Sequence, residues 1–350
     1  MRIKKRYILR SLLIIVGVIM FLTAVFVAEQ YYRWHICNLR AKDGCEHGFY
    51  IYPGTSSDSL LSLLREQYDI SAETDLALHM RHLMFTYPEP GYYRFPAQIG
   101  DRELIERFKY GYQTPIRITW DNNIRTREEL AGKLSRSLLI DSVTLLNHLE
   151  DEVFLEPYGF NKETSRCLFI PNTYEVYWNI SVEALFNRMQ REYNIFWDEA
   201  RRAKAESIGL TPVEVAIIAS IVEGESHNKK EMPIIASLYI NRVHKGMHLQ
   251  ACPTIKYAVG DFKLKRILYR HLAVDSPYNT YKHTGLPPGP IRCPAPATID
   301  MVLNAPKTDY LFMCASHELN NTHIFSASYG NHASAAQQYR HTMDTIYWQK

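Results

Sequence analysis

The sequence predicts an α+β protein tethered by a single N-terminal transmembrane helix, with a small exported module followed by a larger one. Three observations lead there. One long uncharged apolar run occurs, at the N-terminus. Short alternating strand patterns interleave with amphipathic helices between residues 47 and 120. From residue 211 onward, a nearly all-apolar helix is set among Pro- and Gly-rich loops.

Arg2, Lys4, Lys5, Arg6 and Arg10 precede a charge-free run from Ser11 to Ala28. At about 1.5 Å per residue that run nearly crosses a bilayer core, and the basic cluster keeps the N-terminus cytoplasmic. Tyr31, Tyr32 and Trp34 suit the outer interface. A cleaved signal would need two small residues before the cut, and Phe26 to Ala28 supplies one, so a retained anchor is favoured. The expected organisation is a tail at 1–6, an anchor at 7–30, a linker at 31–46, an α+β subdomain at 47–120, a helical connecting region at 121–205 and a catalytic domain at 206–345.

Composition narrows the partners. The 350 residues are 46% hydrophobic and 22% charged, and 40 Lys and Arg nearly balance 37 Asp and Glu, which gives no electrostatic case for nucleic acid. Six cysteines (37, 45, 167, 252, 293, 314) would lie in a compartment that permits pairing, although spacing does not reveal connectivity. No C-x-x-C occurs, which argues against a zinc knuckle, and no metal or cofactor is called for.

Gly48 to Gly54 alternates like a strand and ends in a turn, and leucines at 60, 61, 63 and 64 mark a helix. The same grammar repeats in Gly91 to Phe95 and Asp101 to Phe108, with Asp101 as the expected cap. Tyr92 and Tyr93, if exposed, could stack on sugar faces; a packing module and a glycan-binding module both remain open. Thr126-Arg-Glu-Glu129 opens a helical stretch, and Phe169 to Tyr177 reads as a loop entering a strand.

Thr211-Pro-Val-Glu214 is a capping box with proline at the first helical position. The helix it starts is apolar nearly all round and ends in Val222-Glu-Gly-Glu-Ser226. The negative end of the helix dipole disfavours ionised acids there, so a raised carboxyl pKa is expected. Glu223 and Glu225 diverge by about 200°. Glu225 lies over Ile218, Ile221 and Val222, the more apolar surface, which suits a proton donor. A second helix, about 231 to 245, is followed by loops at 249–254, 277–281 and 285–291 rich in amide, hydroxyl and aromatic groups.

Ile221-Val-Glu-Gly-Glu-Ser226, Ile240-Asn-Arg242, Leu249-Gln250, Pro253-Thr254, Tyr278-Asn-Thr-Tyr281, Gly285-Leu-Pro-Pro-Gly-Pro-Ile291 and His323-Ile-Phe325 with His332 together resemble the endolytic murein transglycosylases, the MltG or YceG-like family. More weakly, 50–67 resembles the family's LysM-like subdomain, and Pro171-Asn-Thr-Tyr174 its Pro-Asp-Thr-Tyr segment. The resemblance implies a catalytic domain of YceG-like type, an inner-membrane location with a periplasmic catalytic domain, and Glu225 as the one catalytic acid/base. Peptidoglycan glycan strands would be the substrate, cut between MurNAc and GlcNAc to leave 1,6-anhydroMurNAc ends. Nearby partners would be the peptidoglycan synthases.

Candidate sugar-site residues are Gln250, Thr254, Tyr278, Asn279 and Tyr281, with Glu223, Asn241, His323 and His332 as possible orienting groups. Two departures stand out: Cys252 and Asn172 occupy positions where the family has Asp. A two-carboxylate hydrolase using Glu225 with Glu223 or Asp275, and a non-catalytic wall-binding scaffold, are the competing readings. Metalloprotease chemistry fails because His317 and His323 are six apart, and no Gly-x-Ser-x-Gly is present.

Overall fold

The computed structural model describes residues 2–35, 37–70 and 73–348, with side chains at 13–29, 31, 39–70 and 76–346. The side chains of Arg2, Lys4, Lys5, Arg6, Arg10, Tyr32, Trp34 and Cys37 therefore lie outside the described residues. The chain forms two compact units, one of residues up to 116 with 175–179, the other of 117–174 with 180–350.

Elements of the first unit are α1 (Arg2–His35), β1 (Cys37–Ala41), β2 (His47–Ile51), α2 (Ser57–Gln67), β3 (Tyr68–Ile70), α3 (Glu73–His82), β4 (Gly91–Phe95), β5 (Gln98–Gly100) and α4 (Asp101–Lys109). The apolar side chains of α1 between Leu13 and Val27 are exposed. Leu13–Glu29 is its apolar stretch, and among the described residues no single helix is long and apolar enough to cross a membrane.

β1 runs antiparallel between β3 and β5. Part of the expected linker at 31–46 is thus a central strand, because Leu39 and Ala41 share one face and are buried. β2 pairs antiparallel with β4, from His47 opposite Phe95 to Ile51 opposite Gly91. Phe49, Ile51, Tyr93 and Phe95 join Leu60 and Leu64 of α2 and Leu104, Ile105 and Phe108 of α4 in one core.

Tyr93 is only 1% exposed and donates its hydroxyl to the Glu89 carbonyl at 2.8 Å, so it is closed to a sugar. The two-residue strand period fixes this: Tyr93 shares its face with Phe95, and Tyr92 turns the other way against Tyr50. Asp101 is the first residue of α4 rather than its cap, which is Gly100; its buried carboxylate lies 3.2 Å from His79 Nδ1.

Continuing in chain order, β6 (Ile116–Thr119) and β7 (Thr173–Val176) each carry residues of both units, and the principal elements of the second unit are α5 (Arg127–Ser135), α6 (Ser142–Glu150), α7 (Glu152–Leu155), α8 (Val182–Phe196), α9 (Glu199–Ser207), α10 (Pro212–Glu225), α11 (Met232–His244), α12 (Cys252–Val259), α13 (Tyr269–Leu272), α14 (Pro296–Leu303), β8 (Phe312–Ala315), β9 (His323–Ser326) and α15 (Tyr329–Trp348). β8 and β9 form an antiparallel pair against which α15 packs.

α10 is the centre of this unit, packed against α9, α11, α12 and α14. Its capping box forms: Glu214 Oε2 accepts the Thr211 N–H at 2.7 Å, and Thr211 Oγ1 accepts the Glu214 N–H at 3.3 Å. Every residue from Val215 to Glu223 is buried. Each of the isoleucines and valines there contributes roughly 1.5–3 kcal/mol by leaving water. The apolarity of α10 therefore belongs to a protein core. The chain passes from the first unit to the second at 116/117, and residues 180–350 lie together in the second.

Arg166 is fully buried and ties this unit together, donating to the Arg125 carbonyl, the Pro290 carbonyl and the Tyr257 hydroxyl, the last at 2.8 Å. The five described cysteines, 45, 167, 252, 293 and 314, are all free.

Thr211→Ala removes half of the capping box and is expected to destabilise the second unit by about 1 kcal/mol. Denaturant unfolding followed by near-ultraviolet dichroism measures it; an unchanged midpoint would mean the cap is redundant with packing.

Candidate active site

Glu225 is the last residue of α10, and its placement follows from the helix it ends. The next residue, Ser226, turns extended, which frees the carboxyl to leave the helix surface. From α11, Tyr239 donates its hydroxyl to Glu225 Oε1 at 2.9 Å. Ile235, Tyr239 and Arg242 repeat at four and three residues, so they share one face of α11, and all three are buried.

Arg242 reaches past Tyr239 to fasten the walls. Its Nε donates to the Leu311 carbonyl at 2.6 Å and its Nη1 to the Leu249 carbonyl at 2.7 Å. Burial holds the Glu225 carboxyl above its ordinary value of 4.5. The Tyr239 hydroxyl, His323, the Cys252 backbone N–H and Lys256 act in the opposite direction. Burial and the adjacent carboxylate raise the Tyr239 pKa, so this phenol stays a donor.

Two chambers meet at Glu225. One, of about 390 Å³, is lined by Tyr239, Gln250, Cys252, Tyr281 and His332 among others. The second, of about 570 Å³, is lined by His227, Asn228, Asn320 and Thr322. Glu225, Ala315 and His323 belong to both. Among the described residues, Glu225 is the only carboxylate lining either chamber.

His323 is set by a residue behind it. The buried carboxylate of Glu231 accepts the His323 backbone N–H at 2.7 Å and lies 3.0 Å from its Nδ1. That pairing leaves Nε2 as the ring atom His323 can offer to the cleft.

The model of the YceG-like family matches residues 49–338. The chain belongs to the YceG-like family. A Bacillus subtilis protein named endolytic murein transglycosylase is 27% identical over 304 residues, which is 82% of this chain and 82% of that one. A Streptococcus pneumoniae protein of the same name is 25% identical over 68% of this chain but 48% of its own length, so this chain spans about half of that relative. The crystal structure of a YceG-like protein from Listeria monocytogenes shares the fold, with a TM-score of 0.53, 23% identity and coverage of 83% of this chain and 98% of that one.

In this YceG-like chain the sequence candidates separate into two groups. Gln250, Tyr281, His323 and His332 line the Glu225 cleft. Gln250 takes a left-handed backbone (φ 52°), and its amide nitrogen donates to the Thr280 carbonyl, which fixes where its side chain starts. Tyr281 faces Cys252 Sγ at 3.5 Å, and His332 stacks on Phe312.

The others hold loops. Asn279 is buried, donating to the Leu272 and Val274 carbonyls and accepting the Tyr281 N–H. Thr254 bonds the Ala251 carbonyl and Thr280, Asn241 bonds the Thr308 and Tyr310 carbonyls, and Tyr278 donates to Glu163. Glu223 is buried and accepts the Ala295 N–H at 2.8 Å. Neither it nor Asp275 lines the cleft. Tyr239, Arg242 and Glu231 are the residues that sequence reasoning passed over. The spacing of Tyr239 and Arg242 within an apolar helix was the available signal.

The raised pKa of Glu225 carries a stability consequence. The folded state holds this proton more tightly than the unfolded chain, so its contribution is full below pH 4.5 and is given up as pH climbs through the folded value. Glu225→Gln avoids that loss: its denaturation midpoint is expected to match wild type at pH 4 and exceed it at pH 8. Tyr239→Phe removes a bond that favours the carboxylate, so the Glu225 pKa should move further up in an NMR titration of its side-chain carbons. A downward move would mean that the Tyr239 bond does not favour the ionised form.

Proposed function

We infer that this chain is an endolytic murein transglycosylase in which Glu225 is the single catalytic acid/base. The observation that carries this is one desolvated carboxyl at the junction of two chambers, with no second carboxylate lining either among the described residues. Chambers on both sides of the acid suit a strand cut within its length.

Glu225 donates its proton to the oxygen that joins the muramyl C1 to the next sugar, and that bond breaks. The resulting carboxylate takes the proton of the muramyl 6-hydroxyl as O6 bonds to C1, which restores the acid and leaves a 1,6-anhydro end with no water consumed. Tyr239 donates to Oε1 and holds the carboxyl at the junction of the two chambers. Gln250, Tyr281 and His323 supply donors where charge develops. A hydrolase would need a second carboxylate about 5–9.5 Å from the first, and neither Glu223 nor Asp275 is in the cleft to serve.

The finer features extend this reading. α1 is a single-pass anchor in the inner membrane with a cytoplasmic N-terminus, supported by its exposed apolar run Leu13–Glu29. The region 47–120 is a LysM-like subdomain, 121–205 a connecting region and 206–345 the catalytic domain in the periplasm. Peptidoglycan synthases are the neighbours such an anchor would serve.

Mass spectrometry of material released from purified peptidoglycan tests the proposal. Wild type is expected to yield anhydromuramyl ends, and Glu225→Gln to lower the rate by about 10²–10⁴-fold. Reducing ends would replace this reading with a hydrolase, and no release from either protein would favour a binding scaffold.

A further inference from the structure

Glu223 does not face the Glu225 cleft. It lines a separate cavity of about 290 Å³ together with Asn123, Arg125, His227, Lys256 and Arg292. Three cations face this space against one carboxylate. Arg125 has its guanidinium 4.9 Å over the Phe262 ring, and among the described residues neither it nor Lys256 forms an ion pair with a carboxylate. The Nη1 of Arg292 is 3.9 Å from Glu223 Oε2, at the outer limit of an ion pair. Burial holds the Arg292 pKa below its ordinary value; Glu223 opposes that shift, and Arg125 and Glu129 add smaller effects of opposite sign. Behind the wall stands Arg166, fully buried, its guanidinium 5.3 Å over the ring of Tyr257, which itself lines the cavity.

Converging cations in a partly desolvated space repel one another unless an anion completes them. Arginine favours a planar carboxylate, which it can grip with two parallel bonds. The remaining group sharpens the choice. Glu223 Oε2 is buried and has no hydrogen-bond partner, so the cavity also presents an acceptor that needs an N–H. An ionised phosphate would supply the anion but no N–H for that acceptor. A peptide bearing a free carboxylate next to an amide N–H satisfies both demands.

His227 connects this cavity to the reaction centre, because it also lines the second Glu225 chamber. Gly224 and Pro253 close the direct path: a Cβ at 224 would lie 2.5 Å from Pro253 Cβ. We propose that this cavity is a subsite for the peptide stem of the muramyl residue, with Arg125, Lys256 and Arg292 receiving a stem carboxylate and Glu223 Oε2 receiving a stem N–H. The proposal rests on the reading of peptidoglycan strands as substrate and adds stem recognition to it.

Calorimetric titration of the full chain in detergent with a synthetic stem pentapeptide tests the subsite apart from catalysis. Wild type is expected to bind. Arg125→Gln and Lys256→Gln, on different elements and each checked for folding by circular dichroism, are expected to bind at least about tenfold more weakly, as is wild type toward the peptide with its carboxylates amidated. Absence of wild-type binding, or equal binding by both variants or by the amidated peptide, would overturn the subsite. Cleavage rates on stem-bearing and amidase-stripped strands give the second readout: the wild-type preference for stems should fall toward one in the variants. Peptide binding without anhydromuramyl product would sink the transglycosylase reading and spare the subsite; product without peptide binding would do the reverse.

Discussion

A helical stretch with no polar face must be covered on all sides, and α10 is, from Val215 to Glu223. α9, α11, α12 and α14 surround it, so the position of its last turn is fixed by packing along its whole length. Glu225 inherits that rigidity. Its carboxyl is delivered to the junction of two chambers without depending on a loop, which is where a proton donor benefits most from fixed geometry. The same enclosure supplies the desolvation that favours the protonated form. Position and protonation state therefore share one cause, the burial of α10.

Gly224 keeps the two glutamates apart. Any side chain there would collide with Pro253, so the helix end can approach α12 only through glycine. Close approach brings the Cys252 backbone to Glu225 and leaves Glu223 pointing to the cavity that Arg292 shares. Two carboxylates separated by one residue thus occupy unlike surroundings. One meets a phenol and open space for a sugar; the other meets a backbone N–H and a guanidinium.

Much of this was legible in the sequence because its signals are local. The capping box, the all-apolar run and the divergence of Glu223 from Glu225 depend only on residues within one helix. Tyr93 was ambiguous because strand parity tells that Tyr92 and Tyr93 face opposite ways, not which way is inward. Asn279, Thr254, Tyr278 and Asn241 share the polar chemistry of a sugar site, yet irregular backbone must also be satisfied, and their groups are spent on carbonyls and neighbouring side chains. Tyr239, Arg242 and Glu231 act across gaps of 14, 69 and 92 residues, and no local pattern encodes such pairings.

The two departures from the family pattern lose their force once the contacts are known. At position 252 the group that reaches Glu225 is the backbone N–H, which cysteine supplies as well as any residue other than proline. The thiol lies against Tyr281, on the wall of the chamber. At position 172 the asparagine Oδ1 accepts the Thr173 N–H at 2.8 Å, a bond a carboxylate oxygen would make equally, and its carbonyl accepts the Trp120 N–H. Both positions therefore keep these backbone bonds while changing charge. Among the described residues Glu225 is the one carboxyl lining either chamber, and the wall beside it at position 252 carries a thiol held against Tyr281 rather than a second charge.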